Sequence, residues 1–175
     1  MKPGRGFTLI ELLLVVAVAA VLLTVAAPAM VDMILNNRMT SQANELLADL
    51  AYSRSQSASM GVRMTACVSS DGATCTGSSW AQGRIIFADT DGSGTLDSGE
   101  QILRVTSGLS GGNTVSAAGL STATVIQFRP TGMAAGLTGA SATFKICDTR
   151  TGTTVGRTVT VAVTGRASAA KTACP

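Results

Sequence analysis

From Phe7 to Ala27 the chain is apolar apart from Thr8, Glu11 and Thr24. That run is close to the roughly 20 residues needed to cross a hydrocarbon core, and it reads as one transmembrane helix. Before it, Met1 to Gly6 carries Lys2 and Arg5, which favour retention of this end on the cytoplasmic side. A carboxylate within such a segment costs about 2.5–3.5 kcal/mol on insertion scales, so Glu11 needs a partner.

Cleavage after Gly6 would create an amine on Phe7, about one helical turn from Glu11. In a membrane the obvious partner for Glu11 is the free amine of a neighbouring identical or related helix. Such a pair neutralises both charges and fixes the axial register between subunits. Two other readings compete. One is a secretory signal peptide cut at Ala27-Pro28-Ala29, although Glu11 would then burden its apolar core. The other is a plain membrane anchor that never assembles.

The segment Gly6-Phe7-Thr8-Leu9-Ile10-Glu11 resembles the class III signal of type IV pilins and of the pseudopilins of type II secretion. The resemblance implies that a prepilin peptidase cleaves between Gly6 and Phe7 and N-methylates Phe7, and that Glu11 serves assembly. It also gives Pro28 the place of a helix-kinking proline.

The 175 residues leave room for that helix and one globular domain. Without Lys2 and Arg5, 11 basic residues face 10 acidic ones, so net charge selects no partner. The chain has no histidine, which removes Ser-His-Asp and Cys-His catalysis and most zinc or iron sites. With no phosphate-binding glycine motif or C-x-x-C either, the reading is a non-enzyme. Cys67, Cys75, Cys147 and Cys174 fit two disulfides in an oxidising compartment better than a metal site, with free buried cysteines as the alternative. Of the three connectivities, Cys67 with Cys75 closes a short polar loop, and Cys147 with Cys174 ties the tail to a strand; this pairing is favoured. The chain-entropy model gives these loops about 2.5 and 3.5 kcal/mol as upper figures.

Beyond Pro28 the helical pattern becomes amphipathic. Leu35, Met39, Ala43, Leu46, Leu47, Leu50 and Ala58 form an apolar stripe, opposite Asn36, Asn37, Arg38, Gln42, Asn44, Glu45 and Asp49. Gly61 is the expected C-cap. After it the period changes to two, with Val62, Met64, Ala66 and Val68 marking a strand with one buried face. Further strands are expected at 83–88, 101–105, 124–129, 143–148 and 158–163, punctuated at 110–112, 130–132 and 151–154, with a loose loop over 132–142. The fold class is α+β: a long N-terminal helix, half transmembrane and half amphipathic, packed against an antiparallel β-rich domain. The expected divisions are a leader (1–6), a membrane or filament-core segment (7–28), an amphipathic half (29–61) and the β-rich domain (62–175).

This order, together with Trp80 to Phe87, Asp89 to Arg104 and Thr164-Gly165-Arg166, resembles the H-type pseudopilin and FimT-like minor pilin family (GspH/FimT). The resemblance implies a pilin-like fold and a low-abundance filament subunit. Its expected partners are other pilins or pseudopilins, prepilin peptidase and the bacterial inner membrane, crossed once with the globular domain periplasmic before the subunit enters a filament. A type IV pilus is favoured slightly over a type II secretion pseudopilus because of the basic tail and the two expected disulfides.

Two segments raise the question of ligands. Asp89, Asp91, Ser93, Thr95, Asp97 and Glu100 follow the twelve-residue calcium-loop template, with Gly94 at its sixth position. The flanks read as strands instead of helices, so the competing reading is a hairpin turn whose charge Arg84 or Arg104 offsets. No cofactor is required, and calcium is the one candidate. From Arg129 to Lys171 six basic residues accompany Asp148 alone. Arg150, Arg157, Arg166 and Lys171 are the candidate contacts to DNA phosphates. FimT-like relatives are implicated in DNA uptake through a Gly-Arg-x-Arg element. Here Gly165-Arg166-Ala167-Ser168 lacks the second arginine, and a solvated basic face is the alternative.

Overall fold

The computed structural model describes residues 8–150 and 152–174; the leader and the Gly6–Phe7 bond lie outside them. Among the described residues one helix, α1 (Leu9–Met60), precedes nine strands. The chain divides into two compact units between Arg38 and Met39.

In the first unit, α1 presents apolar side chains to solvent all round, from Leu9 and Ile10 through Val18 and Leu22 to Met33 and Ile34, all more than half exposed. An apolar surface with no polar side belongs in lipid or among other helices. The helix continues through Pro28, although proline leaves the carbonyl four residues earlier, that of Thr24, without its usual donor.

In the second unit the same helix buries Met39, Ala43, Leu46, Leu50, Ser53 and Ser57, spaced alternately four and three so that they share one face. Ser53 and Ser57 can be buried because their hydroxyls donate to the helix's own carbonyls, of Asp49 (2.9 Å) and Arg54 (2.8 Å). The amphipathic stripe differs from expectation at three places. Ala58 is exposed, whereas Gln42 and Asp49, expected on the solvent face, are buried. Helix α1 stops at Gly61, whose φ of 67° is readily adopted only by glycine and whose N–H donates to the Ser57 carbonyl at 3.1 Å.

The strands are β1 (Arg63–Val68), β2 (Gly83–Asp89), β3 (Ile102–Ser107), β4 (Thr114–Ala118), β5 (Val125–Phe128), β6 (Ala134–Ala135), β7 (Ser141–Cys147), β8 (Gly152–Ala162) and β9 (Ala167–Cys174). They build a five-stranded sheet, β3-β2-β1-β5-β6, and a four-stranded sheet, β4-β7-β8-β9, with antiparallel pairing throughout. One core joins Met39, Ala43, Leu46 and Leu50 to Ala66, Ile86, Ile126 and Phe128 of the first sheet and to Phe144, Ile146, Val159 and Val161 of the second. Trp80 is buried in the same core. Its ring stands edge-on to Phe144 at 4.9 Å, and its Nε1–H donates to the Ala123 carbonyl at 2.8 Å, so both its apolar and polar parts are satisfied.

Several expectations are corrected. β1 is buried on both faces because a second cluster of Cys67, Ile85 and Phe87, flanked by Cys75, Leu96, Ile102 and Val125, covers the side away from α1. The expected loose loop over 132–142 contains β6 and the start of β7. Of the expected break at 151–154, residues 152–154 belong to β8, with an irregularity in pairing between Gly152 and Gly156. Strands β4 and β9 carried no expectation.

Candidate functional site

Thr8 precedes the first helical residue, and Glu11 lies three positions on. The Thr8 N–H and hydroxyl face Glu11 Oε2 at 3.5 Å, and the Glu11 N–H donates to Thr8 Oγ1 at 3.3 Å. This is the reciprocal geometry of a capping box, in which each side chain serves an otherwise unpaired backbone donor. The Thr8-x-x-Glu11 spacing is itself a capping-box signal, and it gives Glu11 a local role beside the intermolecular one expected from the sequence. Glu11 is also the one charged residue between Leu9 and Val31. Gly6 and Phe7, the expected cleavage and methylation positions, fall outside the described residues.

Asp49 is the charged centre of the helix–sheet contact. Its carboxylate receives the Arg84 guanidinium, with Nε at 2.6 Å and Nη2 at 2.5 Å, the Arg104 Nη1 at 3.0 Å and the Thr106 hydroxyl at 2.8 Å. Arg104 also lies over the Tyr52 ring, 5.0 Å from its centroid. These partners come from β2 and β3, where Arg84 faces Thr106 across the ladder. Nearby, buried Gln42 accepts from Asn113 Nδ2 at 2.6 Å and donates to the Ser110 carbonyl at 3.0 Å. Both polar helix residues are buried because their partners meet them from distant strands and loops.

The β2–β3 connection carries the acidic loop. Asp89 is fully buried, and its Oδ2 accepts from Thr65 Oγ1 (2.5 Å), Gln127 Nε2 (2.9 Å) and the Gly94 N–H (3.0 Å). Asp91 accepts from the Ser93 N–H at 2.9 Å, and that bond holds its carboxyl below the usual range. Asp97 accepts from Ser93 Oγ at 3.1 Å and Thr95 Oγ1 at 3.4 Å. Glu100 closes the loop by accepting from the Thr90 and Asp97 N–H groups at 2.7 and 3.1 Å. One oxygen each of Asp89, Asp91 and Glu100 lies within 4.8 Å of the others. Arg84 and Arg104 are committed to Asp49, correcting the expectation that either offsets the loop. Arg63 reaches the loop's edge, donating to the Gln127 side chain at 3.1 Å and toward the Gly92 carbonyl at 3.5 Å.

The cysteines form Cys67–Cys75 and Cys147–Cys174. The four expected DNA-contacting side chains are spread out. Arg157 and Lys171 face each other across β8–β9, with Arg157 donating to Thr40 Oγ1 at 3.1 Å. Arg150 is ion-paired with Asp148 at 2.7 Å. Arg166 lies at the far turn, lining an open groove of about 580 Å³ with Arg54, Leu47 and Gly132. Gly165, beside it, has a structural reason to be glycine: a Cβ there would lie 1.9 Å from the Gly132 carbonyl oxygen.

Residues 42–165 match the profile of a family described as type II transport protein GspH, and residues 1–27 match the prokaryotic N-terminal methylation motif. No curated protein matches the sequence. Among solved structures, the chain is similar to the type IV minor pilin FimU of Pseudomonas aeruginosa, with 26% identity, a TM-score of 0.58 and coverage of 79% of this chain and 93% of that one. It also shares the fold of the minor pseudopilin EpsH from the type 2 secretion system of Vibrio cholerae, at 11% identity and a TM-score of 0.52, covering 77% of this chain and 97% of that one.

Proposed function

The chain belongs to the GspH family and is a minor pilin or pseudopilin; from that premise we propose that it serves a type IV pilus, entering the filament from the inner membrane. Prepilin peptidase cuts after Gly6 and methylates Phe7, and the globular domain faces the periplasm before assembly. The all-round apolar surface of α1 from Leu9 to Ile34 is the observation that carries the assembly reading: among the described residues nothing covers it. Lipid covers it before assembly and neighbouring helices cover it afterward. The choice of pilus draws support from the 26% identity to FimU.

Glu11 then has two successive partners. In the separate subunit it completes the capping box with Thr8; in the filament it pairs with a neighbour's Phe7 amine. Glu11→Gln separates the two roles, because glutamine can still complete a capping box but carries no charge. With that variant as the sole copy, the subunit should remain membrane-inserted and folded but fail to enter filaments. Normal incorporation would refute charge pairing. Deleting the gene should reduce surface pili; unchanged pili with impaired protein secretion would place the subunit in a secretion pseudopilus.

A further inference from the structure

The β2–β3 loop gathers four carboxylates, Asp89, Asp91, Asp97 and Glu100, yet among the described residues no lysine or arginine forms an ion pair with any of them. Arg63, at the loop's edge, donates to amide oxygens instead. Asp89 supplies a second observation that a turn does not explain. Its Oδ2 is saturated by three donors, while its Oδ1 is buried without a hydrogen-bond partner. An unsatisfied oxygen of a buried carboxylate is costly. The same carboxylate belongs to the trio whose ligand oxygens converge within 4.8 Å. Like charges at that spacing repel one another and would be stabilised by a shared cation.

We propose that this loop is a divalent-cation site selective for calcium, with Asp89, Asp91 and Glu100 as its carboxylate ligands. Calcium fits the chemistry because every donor in the loop is a hard oxygen and calcium accepts six to eight of them with flexible geometry. Magnesium demands a tighter octahedron and retains its waters. Oxygens of Ser93, Thr95 and Asp97 lie in the same hydrogen-bonded loop and are available to complete the shell. Gly94, the sixth residue of the template, has a φ of 78° and turns its N–H onto Asp89 Oδ2, so the saturated oxygen orients the carboxylate and leaves Oδ1 for the metal. Bound there, calcium would link the end of β2 to the end of the loop before β3. This inference is independent of whether the filament is a pilus or a secretion pseudopilus.

The test uses the full-length chain purified in detergent and stripped with EDTA. Calcium is titrated to about 10 mM by calorimetry, and thermal unfolding is followed through Trp80 fluorescence. With affinity in the range of extracellular calcium modules, about 10⁻⁴–10⁻³ M, saturable binding should raise the midpoint by about 5 °C. Equimolar magnesium should shift it much less. Asp91→Asn and Glu100→Gln alter accessible ligands and should abolish the calcium response while leaving the metal-free midpoint near that of the parent. Absence of saturable calcium binding by the parent chain would overturn the proposal. So would an equal response to magnesium, or an undiminished calcium response in both variants.

Discussion

The two parts of α1 are continuous in backbone and opposite in chemistry. From Leu9 to Ile34 the apolar side chains surround the axis and remain exposed. From Met39 to Ser57 the buried residues keep to one face, supported by the core and by the Asp49 cluster. The difference shows where each part finds its stability. A one-sided stripe is completed inside its own domain, whereas an all-round apolar surface must be completed by lipid or by other subunits. The charges follow the same division: Asp49 has Arg84 and Arg104 from its own chain, and among the described residues Glu11 has only Thr8.

The sharpest way to break this comparison is to remove the internal charge. Asp49→Asn leaves Arg84, 2% exposed, with only the exposed Glu45 carboxylate at 4.0 Å, and should destabilise the domain by about 3 kcal/mol. Thermal unfolding of the full chain in detergent checks this, and membrane insertion should be unchanged. A loss below about 1 kcal/mol would show that the cluster does not hold the helix to the sheet. A comparable effect is expected from replacing Cys147 and Cys174 together by serine. Their bridge spans 27 residues and anchors the edge strand β9, so its loss should cost up to about 3.5 kcal/mol in a denaturant titration. The smallest effect concerns Asp71, in the loop closed by Cys67–Cys75. The Thr74 hydroxyl first, then the Ala73 and Thr74 N–H groups and the Ser69 hydroxyl, hold its carboxyl well below the usual range. Its contribution is therefore complete above about pH 4, where the unfolded chain's carboxyl is ionised, and fades as pH falls through the depressed folded value. Asp71→Asn should therefore lower stability slightly near neutrality and flatten its loss below pH 4, so that variant and parent converge in acid.

What the sequence revealed follows from where the information resides. The apolar segment, the Gly61 cap and the central strands were legible because local periodicity and glycine chemistry specify them. β9 was not: Ala-Ser-Ala-Ala-Lys-Thr-Ala offers neither apolar alternation nor β-branched bulk. It is a strand because β8 supplies a ladder and Cys174 is tied to Cys147. β6 is only two alanines, defined by pairing with β5. Gln42 and Asp49 read as surface residues because helical periodicity contains no trace of Asn113, Arg84 or Arg104, which arrive from 35 or more positions away. At the candidate sites, the order of oxygens from Asp89 to Glu100 was visible in the chain. The unpartnered Asp89 Oδ1 and the commitment of both nearby arginines to Asp49 emerged only from the packing.

The central claim is that the first part of α1 is completed by other subunits after processing. Mass spectrometry of the N-terminal peptide, from this chain recovered in sheared, washed surface filaments, tests it most directly. The account predicts a peptide beginning at Phe7 and carrying one N-terminal methyl group. Recovery of the chain only outside filaments, either with Met1 to Gly6 retained or cut after Ala29, would contradict it.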